Sequence, residues 1–237
     1  MAASVPFWGE PGMARIADSV DANINWCEAD YHYVPCVAEL MNSLSSIPIA
    51  LFGLAGISLA RRNSSNKPRF MLGYALLTLV GIGSFWFHCT NRYYAQVLDE
   101  VPMLLADLAF VYCIIESGPK DNHPRLPLLL AAVAFIEIFI YLMLPDLYIV
   151  FLTVYGTVVA IIVILSIRVV YCGSPLGTPI PKKLMVLSCA LYFSGLTLWC
   201  LENTLCSSLP SWFYFHAIWH ILAGAGESSF NPRWMLT

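Results

Sequence analysis

Seven runs of apolar residues, separated by short polar stretches, take up most of the chain. They fall at roughly 37–60, 69–90, 98–117, 126–145, 147–170, 184–204 and 208–227. A helix rises 1.5 Å per residue, so about 20 apolar residues match the ~30 Å hydrocarbon core of a bilayer. The pattern predicts an all-α membrane protein, a seven-transmembrane helix bundle. Only Pro145 and Asp146 separate the fourth and fifth runs, which makes that connection a tight turn. Residues 1–36 are polar, acidic and aromatic, without the basic-then-apolar order of a secretory signal. The expected organisation is an N-terminal segment 1–36, a bundle 37–227 and a short tail 228–237.

Composition agrees. Of 237 residues, 59% are hydrophobic and only 11% charged, whereas a soluble domain is nearer a quarter charged. Mean hydropathy is +0.70. The basic residues set an orientation, because Lys and Arg gather on the cytosolic side. Arg61, Arg62, Lys67, Arg69, Lys120, Arg125, Arg168, Lys182, Lys183 and Arg233 follow odd-numbered runs, and only Arg15 and Arg92 lie on the other side. The N-terminus is therefore expected outside the cytosol and the C-terminus inside. A net charge of −3 with no basic tract argues against a nucleic-acid partner, and no protein partner is evident. No internal repeat of the transporter kind is visible. The segments 118–125 and 171–183, rich in Gly and Pro, read as irregular cytosolic connections. His32 and His123 are expected to be solvated.

Ionisable groups within the apolar runs change the picture, because such groups are costly in a membrane and mark function. His88 closes the second run, and His216 and His220 open the seventh, spaced i, i+4 on one helix face. With alternating helix directions, all three fall at one depth near the non-cytosolic leaflet. Asp99 and Glu100, at the start of the third run, join them there. Three imidazoles with an open fourth position are the donor set of a catalytic zinc. Asp99 is the nearest general acid/base, and Ser84, one turn before His88, is placed to donate to a developing oxyanion. Asp107, Glu137 and Glu202 are also buried in apolar runs, and sequence alone assigns them no role. Asn25, Glu28 and Asp30, with Glu39, offer oxygen donors for calcium or equally an acidic helix-capping segment. Cys27 and Cys206 share the oxidising side, compatible with a disulfide or with two thiols. Cys113, Cys172, Cys189 and Cys200 read as small apolar helix residues.

These residues carry a family resemblance. Asn25–Tyr31 followed by Glu39-Leu40-Met41-Asn42, Gly83-Ser84-Phe85-Trp86-Phe87-His88, Leu98-Asp99-Glu100-Val101-Pro102-Met103 and Phe215-His216-Ala217-Ile218-Trp219-His220 occur in the family's order and spacing. A weaker fifth motif is Trp199-Cys200-Leu201-Glu202-Asn203 with Cys206. In these motifs the chain resembles the alkaline ceramidases, seven-helix membrane amide hydrolases of the superfamily that includes the adiponectin receptors.

The resemblance implies zinc on His88, His216 and His220, and catalysis by Ser84 and Asp99. It implies calcium on Asn25, the Trp26 carbonyl, Glu28, Asp30 and Glu39, and a disulfide between Cys27 and Cys206. The implied reaction cleaves the amide of ceramide, dihydroceramide or phytoceramide to a sphingoid base and a fatty acid, in the endoplasmic reticulum or Golgi membrane. Two departures stand out. Asn25 and Asp30 exchange the family's usual Asp and Asn, which keeps three carboxylates in the shell. The tail after Glu227 is short, so a tail-borne retention signal is not expected. A receptor with the same metal site is a rival reading, which the basic-residue bias disfavours. A proton or ion transporter built on Asp107, Glu137 and Glu202 is another, weakened by the lack of repeats.

Overall fold

The structure, a computed structural model, describes residues 21–62, 68–116, 123–172, 182–208 and 213–229. Seven α-helices stand among them: α1 (Leu40–Arg62), α2 (Pro68–Thr90), α3 (Tyr93–Ile115), α4 (Leu126–Met143), α5 (Tyr148–Cys172), α6 (Lys182–Leu205) and α7 (Phe215–Ser229). Short 3-10 turns at Pro145–Leu147 and Cys206–Ser208 complete the regular structure. The first links α4 to α5, as the Pro145-Asp146 pair predicts. The connection 171–183 and the tail lie largely outside the described residues, as do residues 118–122.

Among the described residues, five helical segments are long and apolar enough to cross a membrane: Leu40–Arg62, Pro68–Thr90, Leu126–Met143, Pro145–Val169 and Lys182–Ser208. The third and seventh runs differ from them for physical reasons. In α3, Asp99, Glu100 and Asp107 interrupt the apolar surface, and all three are buried. Helix α7 has 15 residues, about 22 Å, short of a hydrocarbon core. Its start shifts from the expected 208 to Phe215. Residues 206–208 instead extend the end of α6, where the Cys27–Cys206 disulfide holds them. The third run also starts earlier than expected, at Tyr93. There Asn91, with φ 50°, ends α2 in the left-handed region that Asn tolerates.

Burial is distributed as in a membrane protein. Leu128, Phe135, Ile149 and Ile164 are more than half exposed, while Glu39, His88 and Glu202 are almost fully enclosed. Helices α1, α2 and α3 pack closely in sequence, and α7 packs on α6 and α1. Helix α5 meets α3 more than it meets α6. Of the apolar-run cysteines, Cys113 is buried and Cys189 half-buried, but Cys200 is exposed on the outer face of α6.

The α2–α3 contact has a local cause. Pro102 lies inside α3 and has no N–H to offer the Leu98 carbonyl one turn back. That carbonyl abuts Gly83 of α2, where any Cβ would fall on it. A proline frees the carbonyl and a glycine makes room for it, and this register sets Ser84 beside Asp99. Gly156 of α5 is the opposite case, since a Cβ there meets nothing within 4 Å. Gly83→Ala is therefore expected to destabilise by about 1–3 kcal/mol through overpacking. Gly156→Ala should be neutral or stabilising by about 0.4–1 kcal/mol. Thermal unfolding of the two detergent-purified variants checks the contrast; equal midpoints would contradict it.

Candidate metal centre

Helix geometry delivers three histidines to one point. His88 closes α2, and His216 and His220 occupy the first two turns of α7. One ring nitrogen from each lies within 4.8 Å of the others, and all three residues are buried. Ring centroids are 5.0 Å apart for His88–His216, 4.9 Å for His88–His220 and 4.4 Å for His216–His220. Among the described residues, His88 Nε2 and His216 Nδ1 are buried with no hydrogen-bond partner. Buried nitrogens are rarely left so in a finished structure, and lone pairs converging from three rings are what a metal ion requires.

The remaining ring nitrogens are held by groups that fix the tautomer. His88 Nδ1 meets Glu39 Oε2 at 2.6 Å, with both side chains fully enclosed. His220 Nδ1 meets Ser45 Oγ at 2.8 Å, and Ser45 gives its only proton to the Asn42 carbonyl at 2.9 Å. Ser45 can therefore only accept from Nδ1–H, which leaves the Nε2 lone pair of His220 free. The backbone N–H of His216 donates to Glu202 Oε2 at 2.6 Å, and its ring stacks on Trp26 at 3.7 Å. Glu202 also accepts the N–H of Cys27 at 3.3 Å. Its sequence gave no role for this residue, and here it ties the N-terminal segment to the start of α7.

Ser84 and Asp99 share the wall of one cavity of about 550 Å³ with His216 and His220. The Ser84 hydroxyl lies 2.9 Å from Ser46 Oγ, and Ser84 and Asp99 line the cavity together. The neighbouring Glu100 carboxylate accepts from Tyr141, from Tyr148 at 2.6 Å and from Gln96 at 3.2 Å. The rest of the cavity is mainly apolar, lined by residues such as Leu77, Val80, Met103 and Phe151. Asp107 lines its far part with Glu227, Tyr155 and Tyr192. Glu137 is buried on α4 and does not line it.

The acidic N-terminal residues form a second cluster against the first. Both Glu28 oxygens cap α1, accepting from Met41 N at 2.7 Å and Asn42 N at 2.9 Å. Capping is thus realised for Glu28, in line with the preference of carboxylates for helix N-termini. Asn25 donates to Asp30 at 3.1 Å, and Asn91 donates to Asn25 at 2.9 Å and to Asp30 at 3.3 Å. Glu39 Oε1 accepts the Trp26 N–H at 3.1 Å. Burial, and secondarily the neighbouring carboxylates, push the Glu28 and Asp30 carboxyls above their ordinary range. Crowded oxygens with no cationic side chain among their partners fit a divalent cation. His32 and His123 are exposed, as expected.

Sequence reasoning missed Glu39 as the partner of His88, Ser45 as the partner of His220, and Asn91. The signal for Ser45 was present: Asn42, Ser43, Ser45 and Ser46 place four polar side chains at the start of an apolar run. Groups that orient metal ligands change metal affinity by about 10–100-fold. Glu39→Gln, which keeps the shape but weakens the acceptor, should weaken metal binding by about that factor. Metal titration against a competing chelator reads it; an unchanged affinity would remove Glu39 from this role.

The family model described as Ceramidase matches residues 18–232 of the chain. Alkaline ceramidase 3 of Mus musculus is 30% identical over 221 residues, covering 87% of this chain and 80% of the relative. Alkaline ceramidase YPC1 of Saccharomyces cerevisiae is 29% identical over 252 residues, covering 94% and 76%. An alkaline ceramidase of Caenorhabditis elegans is 27% identical over 227 residues, covering 86% and 78%.

Proposed function

The chain belongs to the ceramidase family, and on that premise we propose that it is an intramembrane, zinc-dependent amide hydrolase acting on ceramide-type lipids. The carrying observation is the convergence of His88, His216 and His220, with His88 Nε2 and His216 Nδ1 unpartnered among the described residues, at a mainly apolar cavity of about 550 Å³ that His216 and His220 line. The donor set fits zinc: imidazoles only, with the other nitrogens of His88 and His220 engaged by Glu39 and Ser45. When bound, zinc supplies a Lewis acid for the amide carbonyl and water acidified to a pKa of about 7.

The chain's own residues carry the rest. Asp99 takes a proton from the attacking water and passes one to the leaving amine. Ser84, held against Asp99 and Ser46, donates to the oxygen on which negative charge develops. The apolar cavity takes hydrocarbon chain and excludes bulk water, which accounts for an amide hydrolase inside a bilayer. The products are a sphingoid base and a free fatty acid.

Calcium on Asn25, the Trp26 carbonyl, Glu28, Asp30 and Glu39 would neutralise the crowded carboxylates and fix the N-terminal segment over the metal centre. The basic-residue bias supports seven spans with a non-cytosolic N-terminus, and the Cys27–Cys206 disulfide suits the oxidising lumen of the endoplasmic reticulum or Golgi.

Purified protein assayed on a ceramide panel, with metal measured on the same sample, tests the reading. His216→Ala should lose bound zinc and sphingoid-base release together; full activity without zinc would sink the mechanism. Asp99→Asn should keep its zinc and lose about 10²–10⁴-fold in kcat. A kcat within a few-fold of wild type would remove Asp99 from proton transfer.

A further inference from the structure

The Trp26 indole is an unused donor on the wall of the site. Its Nε1 is buried with no hydrogen-bond partner among the described residues, and Trp26 lines the cavity with Ser84, Asp99, His216 and His220. A buried N–H left without an acceptor is costly, and indole nitrogen can only donate. A molecule entering the cavity is placed to supply that acceptor.

The ring is held firmly for that purpose. Its face lies on His216, with centroids 3.7 Å apart and planes inclined by 18°. Its edge meets Trp199 at 5.7 Å. The Trp26 backbone N–H is bound to Glu39, and the next residue is tied to α6 by the disulfide and by Glu202. Five anchors on two consecutive residues leave the indole little freedom. A donor ordered before binding loses little entropy when its acceptor arrives.

Geometry also narrows the acceptor. The indole N–H lies in the plane of its ring, and that plane runs nearly parallel to the His216 imidazole, one stacking layer away. The reacting carbonyl would be served by Ser84 and by a metal on the three imidazoles. The indole N–H is then left for a different oxygen close to the amide. On a hydroxylated lipid amide, that oxygen is a head-group hydroxyl.

We propose that the Trp26 indole N–H binds a hydroxyl oxygen of the lipid head group and makes Trp26 a specificity-determining residue. The proposal rests on the reading that the cavity holds a ceramide-type amide. It is separate from any role of the Trp26 backbone carbonyl, because it concerns the side chain alone.

A cycle between variant and substrate tests it. Trp26→Phe keeps a ring on His216 and removes the N–H. Trp26→Tyr serves the same end should the Phe variant fold poorly. Each is assayed with wild type on ceramide and on analogues lacking either the primary or the secondary hydroxyl, with zinc content and unfolding midpoint measured alongside. The variant should lose about tenfold in kcat/KM on ceramide, as expected for one hydrogen bond inside a site. Wild type should lose a similar factor on one deoxy analogue, and on that analogue variant and wild type should be equal. An equal loss on every substrate, or no loss at all, overturns the hydroxyl contact while leaving the amidase reading intact. Wild type that cleaves no ceramide overturns the amidase reading itself, and the contact with it.

Discussion

The contact between Glu39 Oε2 and His88 Nδ1, 2.6 Å long and closed off from solvent, is the constraint around which the metal end of the bundle is built. A carboxylate with no exposed surface must have its lone pairs occupied, or its desolvation works against folding. Glu39 fills them with His88, Asn42 and the Trp26 N–H. One side chain thereby joins the start of α1, the end of α2 and the N-terminal segment. It also fixes which nitrogen of His88 is free, so folding and metal readiness are settled by the same contact.

Glu202 does for α7 what Glu39 does for α2. It accepts the N–H of His216 from one side and that of Cys27 from the other. The disulfide at Cys206 closes the same joint covalently across a separation of 179 residues. The buried carboxylates at this end thus form a frame that aims three imidazoles, and the bilayer raises the cost of any alternative arrangement. Beyond the frame, polar groups thin out and the cavity wall becomes mainly apolar. A hydrolytic centre at one end and hydrocarbon lining over the rest is a shape matched to a lipid amide.

Much of this was legible in the residues. Apolar run length pointed to the seven helices of the described residues, because burying a helix in lipid needs little besides hydrophobicity. The histidines could be found because their cost in a membrane is visible in one dimension, and alternating helix directions then gave their shared depth. Helix ends were less legible. The start of α7 depends on a disulfide to Cys27 that holds residues 206–208 on α6, and the start of α3 on a left-handed Asn91. Least legible were the partners of the histidines. Ser45 and His220 lie 175 residues apart, and Glu39 and His88 lie 49 apart. Nothing local in the sequence links such pairs. In sequence Glu39 reads as a calcium donor or as part of a helix-capping segment, because its carboxylate suits either neighbour and only the packed bundle shows which oxygen faces which.

The central claim is that these imidazoles, oriented by Glu39 and Ser45, hold a zinc ion. X-ray absorption at the zinc edge of the purified protein tests it most directly. About one zinc per chain is expected, with three nitrogen ligands at about 2.0–2.1 Å and one oxygen ligand at about 2.0–2.2 Å. A spectrum dominated by sulfur at about 2.3 Å, or protein that carries no zinc when purified without chelator, would contradict it.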